Sequence, residues 1–205
     1  MENQTEKNIS LVKGDALIIV DLQNDFLEGG ALAVPEGNQI IAPLNNAIKI
    51  FQNQNLPVFL TRDWHPSNHC SFQEFGGPWP PHCVQDTPGA EITSDLQINE
   101  NINIITKGTK FEPDEYSGFQ GLDKDENSFD TSLKQRGIKR VFIGGLATDY
   151  CVLFTVLDAL NLGYEVYVLT VAIRAVNVKP DDGKRALEQM TGKGAKLTTT
   201  ESLGE

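Results

Sequence analysis

Cys151 follows Gly144-Gly145-Leu146-Ala147-Thr148-Asp149-Tyr150 and precedes an apolar helical pattern. A thiol at the first turn of a helix faces unpaired N–H groups, which lower its pKa, favour the thiolate and can hold a developing oxyanion. The thiol still needs a base. Asp21, directly after the apolar run Ala16–Val20, is the natural one, with Lys107 placed to orient it and balance its charge. The competing reading of Cys151 is a small buried hydrophobe, which most free cysteines are. On these residues alone both readings stand.

A second group of residues suggests a cation site. Asp63-x-His65 at the end of a strand places both side chains on one face, because the pleat has period two. A carboxylate beside an imidazole is a common metal half-site. His82 could close it, and His69 is a further candidate ligand. The competing reading has Asp63 capping a turn and the histidines bonding to backbone. All three histidines of the chain lie between Arg62 and Asn101, which weighs equally against that reading. Trp64, Phe72, Phe75 and Trp79 share the segment, either lining a flat pocket for a ring or packing the loop down.

Strands alternating with helices are needed to bring these residues together. Ala16–Val20 is a continuous apolar run, as in a strand covered on both faces. Ile40, Ile41, Leu44, Ala47, Ile48 and Phe51 recur at helical spacing. Further strands are expected at Pro57–Thr61, Ile102–Ile105, Arg140–Gly144, Glu165–Leu169 and, weakly, Ala195–Thr199. Helices are expected from the Ser128 cap to Arg136, from Tyr150 to Asn161 and over Asp182–Thr191, the first two stopped by Gly137 and Gly163. The rhythm predicts one α/β domain over residues 13–205, with a mostly parallel sheet and helices on both faces. Ligands of such sheets bind beyond the carboxyl ends of the strands, where Asp21, Asp63, His65, Lys107 and Cys151 all fall. The roughly 40 residues from Arg62 to Asn101 show little periodicity, which marks a functional loop.

Composition narrows the classes. The 205 residues are 40% apolar and 22% charged, an ordinary globular balance. A net charge of −11 disfavours nucleic acid and anionic membrane partners. No apolar run reaches the roughly 20 residues that span a bilayer. Residues 1–12 read as a flexible tail without a secretory pattern. Three cysteines without a C-x-x-C pair argue against a disulfide framework and for the cytoplasm. The sequence leaves the oligomeric state open, a homo-oligomer included.

Several stretches, taken in order, resemble the nicotinamidase (pyrazinamidase) branch of the isochorismatase-like cysteine hydrolases. They are Val20-Asp21-Leu22-Gln23-Asn24-Asp25-Phe26, Gly29–Pro35, Thr61–His69, Gly76–Cys83, Lys107-Gly108-Thr109, Tyr116–Phe119 and Gly145–Cys151. The resemblance runs from about Asp15 to Thr200 and implies that family's hydrolase fold. It implies a catalytic triad of Asp21, Lys107 and Cys151, and one divalent ion on Asp63, His65 and His82. Zinc is the first choice, with iron or manganese as alternatives. It also implies a cis peptide at Leu146–Ala147, an oxyanion hole from the Ala147 and Cys151 amides, and a ring pocket of Phe26, Trp79 and Tyr116.

The activity so implied is hydrolysis of nicotinamide, and of pyrazinamide, through a Cys151 thioester, serving NAD salvage. The alternatives are a related amidohydrolase for carbamoyl or ureido compounds and a metal-binding protein without turnover. Two features depart from the family's pattern or blur it. Lys110 lies three residues after Lys107 and competes with it. Val171 stands where relatives often carry an acid, which puts the local loop after the fifth strand in question.

Overall fold

Alternate residues of the first apolar run enter two different cores, which is why that run has no polar face. Leu17 and Ile19 pack with Leu44, Ala47, Ile48 and Phe51. Ala16, Ile18 and Val20 pack with Phe129, Leu133, Val152 and Met190. Full burial of each such large side chain stabilises by ~1.5–3 kcal/mol. The computed structural model describes residues 8–99 and 102–204. In chain order these form β1 (Ile9–Ser10), β2 (Asp15–Val20), α1 (Ile41–Asn53), β3 (Val58–Asp63), β4 (Asn103–Lys107) and α2 (Phe129–Gln135). There follow β5 (Arg140–Leu146), α3 (Cys151–Asn161), β6 (Glu165–Arg174), α4 (Asp182–Gly192), β7 (Lys196–Thr198) and β8 (Leu203–Gly204).

Six strands form one sheet in the order β4-β3-β2-β5-β6-β7, with every pairing parallel. α1 covers one face, and α2, α3 and α4 cover the other. The expected α/β architecture with helices on both faces is therefore the one found. Strand order reverses between β2 and β5, so the segments leaving their carboxyl ends diverge and open a crevice. Asp21 leaves one strand there, and the turn before Cys151 leaves the other.

Local signals explain the element ends. The Ser128 side chain accepts from the Thr131 N–H and starts α2. Gly137 follows with φ +69, the left-handed stop that glycine takes without strain.

Two expectations need correction. The tail predicted over residues 1–12 is ordered at its end: Ile9–Ser10 pairs in parallel with Leu203–Gly204, and Leu11 is buried. Residues 1–7 lie outside the described residues. β6 does not stop at Leu169 but runs to Arg174, with its register against β5 shifting between Ile143 and Gly145. Val171 thus sits in a bulged strand, not in a loop, because the apolar run continues past it. The aperiodic segment from Arg62 onward is held in place locally. It carries short 3-10 turns at Gln73–Phe75 and Pro88–Ala90 and is pinned by bridges His65 to Val84 and Phe72 to Trp79.

Candidate active site

Register brings the first charges together. Asp63 and Lys107 are partners across β3 and β4, at the last residue of each strand. Asp21, one residue beyond β2, has φ +48 and donates its N–H to Thr61 on the same strand as Asp63. Its Oδ1 accepts from the Thr61 hydroxyl at 2.5 Å. Lys107 Nζ reaches Asp21 Oδ2 at 3.0 Å, Asp63 Oδ1, the Glu115 carbonyl at 3.1 Å and Cys151 Sγ at 3.6 Å. Asp21, Asp63 and Cys151 each offer a ligand-type atom within 4.8 Å of the other two. Lys107 is 1% exposed, whereas Lys110 is exposed to solvent, so burial separates the two competing lysines.

Cys151 opens α3, whose first turn has no side-chain cap. Of its first-turn amides Val152 is taken by the Ala147 carbonyl, and no side chain caps the Cys151 N–H. The Leu146–Ala147 peptide is cis. Tyr150 and Val152 both donate to the Ala147 carbonyl, and Thr148 donates to the Arg174 carbonyl, which closes the turn. Asp149 ties the turn to the next loop by accepting from the Val176 and Asn177 amides.

The electrostatics differ from the sequence expectation. A thiol at a helix start was expected to be held down towards the thiolate. Burial instead pushes Cys151 well above its usual value; Lys107 pulls it down, but Asp21 and Asp63 push it back up. Burial also raises Asp21, against the pull of Lys107. Asp63 goes the other way: burial would raise it, but Lys107 and then His65 hold it well below the usual carboxylate range. Burial would lower Lys107, yet the two carboxylates keep it charged. Lys107 and Asp63 are thus favoured in their charged forms, and burial favours the neutral forms of Asp21 and Cys151.

The imidazole side is built differently. His65 Nδ1 pairs with the Gly108 carbonyl at 2.9 Å, and His82 Nδ1 pairs with the Pro80 carbonyl at 2.8 Å. In its neutral form each ring so tethered leaves Nε2 as the acceptor. Gly108 has φ +63, and a Cβ there would collide with the His65 ring, so this position requires glycine. Asp63, His65 and His82 are all buried, with ligand-type atoms within 4.8 Å of one another. Burial lowers the His82 pKa, which keeps that ring neutral. One carboxylate and two tethered imidazoles fit a divalent transition metal.

His69 lies outside that set. It stacks on His65 at 4.0 Å, pairs Nδ1 with Ser71 Oγ at 2.7 Å, and buries Nε2 without a hydrogen-bond partner among the described residues. Burial and then His65 lower its pKa to about 4.

A pocket joins the two sides, lined by Phe26, Asp63, His65, Trp79, His82, Tyr116, Ala147 and Cys151 among others. Trp79 Nε1 donates to Tyr116 Oη at 3.0 Å, and its ring meets Tyr150 edge-on. The other aromatics of the long segment do not line it. Phe72 is buried beneath the three imidazoles, Trp64 lies under the Arg62 guanidinium, and half-exposed Phe75 meets Phe111. Sequence reasoning missed Leu32, Val34, Tyr150 and Val176 as walls. Val176 would have been found by extending β6. The contact of Lys107 with Asp63 was also missed, since it depends on the register of β3 against β4.

A family model described as the isochorismatase domain matches residues 15–202. The chain is similar to the nicotinamidase of Escherichia coli K12, 41% identical over 200 residues that span 90% of this chain and 94% of that one. Among solved structures it is similar to the pyrazinamidase of Pyrococcus horikoshii in complex with zinc. That pair has a TM-score of 0.84 and 48% identity, covering 91% of this chain and 99% of the other. It is also similar to an L. infantum protein in complex with nicotinate, with a TM-score of 0.83 and 34% identity, covering 96% of this chain and 98% of the other.

Proposed function

The chain belongs to the isochorismatase family, and on that premise we propose that it hydrolyses nicotinamide to nicotinate and ammonia, and pyrazinamide likewise. The observation that carries the reading is the shared position of Asp63. Its carboxylate touches Lys107 on one side and faces His65 Nε2 at 3.7 Å on the other. A nucleophile and a cation-type donor set therefore open into one pocket, as a ring carboxamide requires.

In this reading Asp21, Lys107 and Cys151 are the catalytic residues. Asp21 accepts the thiol proton as Cys151 Sγ attacks the carboxamide carbon. Burial favours the protonated thiol, so proton transfer to Asp21 accompanies attack. The Ala147 and Cys151 amides stabilise the oxyanion. Asp21 returns the proton to the departing nitrogen, and ammonia leaves a thioester on Cys151. Asp21 then takes a proton from water as it attacks, and the acid leaves with the thiol restored. Lys107, charged throughout, holds Asp21 in line.

Asp63, His65 and His82 would hold one divalent ion, zinc first, with iron or manganese as alternatives, and a bound ion would supply a Lewis acid for a pyridine nitrogen. His69 stands behind the set as a candidate further ligand. Phe26, Trp79 and Tyr116 flank the ring. The three free cysteines suit a reducing cytoplasm, where the reaction would serve NAD salvage. No described helix is long and apolar enough to cross a membrane.

Acid quenching during turnover, followed by peptide mass mapping, tests the covalent step. A nicotinoyl adduct on Cys151 is expected. Steady turnover with no adduct and, when hydroxylamine is added, no nicotinohydroxamate would count against the thioester.

A further inference from the structure

The segment after β2 carries more than Asp21. Gln23 is fully buried, and its amide spans two backbones. Nε2 donates to the Asp63 carbonyl at 2.7 Å and to the Ala90 carbonyl at 2.8 Å, while Oε1 accepts from the Asp63 N–H at 2.8 Å. Asp63 is thus gripped by both of its own backbone polar groups. Two residues further on, Asp25 acts on a different segment. Its Oδ2 accepts from the Cys83 N–H at 2.7 Å and its Oδ1 from the Ala31 N–H at 3.1 Å.

Cys83 is the neighbour of His82 and has φ +46, a left-handed conformation that a non-glycine residue keeps only where its surroundings enforce it. The Cys83 carbonyl in turn accepts from the His65 N–H at 2.9 Å. Gly89 packs against the Asp25 carboxylate so closely that a Cβ there would overlap its oxygens.

We infer that Gln23 and Asp25 are positioning residues for the cation site: Gln23 fixes the backbone of Asp63, and Asp25 fixes the backbone that presents His82. Neither belongs to the donor set itself. The inference rests on reading Asp63, His65 and His82 as that site. The donors come from the end of β3 and from a later turn of the same loop segment, and a tight site forms only where those two stretches are held in register. Asp25 has no hydrogen bond to Asp21, Lys107 or Cys151, so its loss should leave the thiol side intact.

The test is zinc affinity of the full chain, stripped and titrated against a chromogenic chelator, with the rate of Cys151 alkylation in the zinc-free protein as the second reading. Asp25→Asn, which keeps one carbonyl acceptor, and Gln23→Met should weaken zinc binding about 10- to 100-fold. Asp25→Ala, which keeps no acceptor, should weaken it further than Asp25→Asn. Gly89→Ala, which displaces the same carboxylate from its other side, should reproduce the Asp25→Asn loss. Asp25→Asn should leave the alkylation rate within about twofold, since thiol reactivity follows its own charged neighbours. A wild-type chain that takes up no zinc overturns the underlying site and this inference together. Wild-type uptake with equal affinity in all four variants overturns the inference alone. Variants that fail to fold without zinc also overturn it, because the two side chains would then be holding the fold rather than the ligand set.

Discussion

The two sides of the pocket are assembled by opposite means. Around the thiol, charged side chains hold one another: Lys107 lies between two carboxylates, and Cys151 is within reach of all three. Around the imidazoles, backbone does the holding: carbonyls of Gly108 and Pro80 fix the rings. The first arrangement is a coupled unit, in which removing one member changes the protonation of the rest. The second is modular, because each donor is tethered separately. Asp63 belongs to both. Losses on the thiol side should therefore be large and non-additive, and losses on the imidazole side should fall on substrate placement.

Cys151→Ala is the most severe test. Turnover should fall by on the order of 10⁴-fold or more while zinc content is kept, as for members of other covalent triads. Asp21→Asn should be nearly as severe. The double variant should lose little beyond the worse single one, and multiplying losses would show that the thiol side is not a unit.

Lys107→Ala should cripple turnover and also destabilise the fold by about 3–5 kcal/mol, because two buried carboxylates lose their cation. Thermal unfolding of the variant measures that loss. A melting point close to wild type would mean that Asp21 takes up a proton without cost and that Lys107 is not its structural partner.

His82→Ala sharpens the contrast between the sides. The kcat/KM for nicotinamide should drop about 100-fold with loss of metal, while alkylation of Cys151 in zinc-free protein stays within about threefold. Benzamide, which has no ring nitrogen, should be a poor substrate throughout and should lose little further. Equal turnover of benzamide and nicotinamide would remove the ring-anchoring role from the imidazole side.

The thiol's own titration has a smaller, directional effect. Cys151 sits well above its usual value through burial. Alkylation of the zinc-free protein should therefore climb steadily from about pH 6 to about pH 9, because only the thiolate reacts. A plateau below about pH 7 would instead mean a preformed thiolate. The smallest effect belongs to Lys110→Ala, which should change kcat/KM by less than about twofold, since an exposed lysine away from the pocket contributes little.

What could be read from the sequence followed the same division. Continuous apolar runs located the strands because both faces of the sheet are buried in apolar contacts, and a 3.6-residue period located the helices. Asp21, Lys107 and Cys151 stood out because each directly follows or ends a strand, or opens a helix, and the Asp63-x-His65 pair because its spacing is local. The Asp63–Lys107 contact was hidden, since it depends on which residues of β3 and β4 face each other. The raised thiol was hidden for a related reason. A helix start argues for a thiolate, and only the packed structure shows that burial and two carboxylates oppose it. The end of β6 was misjudged because a bulge interrupts the pairing without interrupting the strand.

Ammonia release from nicotinamide, measured on the purified chain before chelation, after chelation and after return of zinc, tests the central claim most directly. The expected result is rapid release that falls at least about tenfold on chelation and recovers with zinc. Release at the same rate from fully metal-free protein would contradict the anchoring role of Asp63, His65 and His82. Absence of release from the zinc-loaded chain, with Cys151 still open to alkylation, would contradict nicotinamide as the substrate.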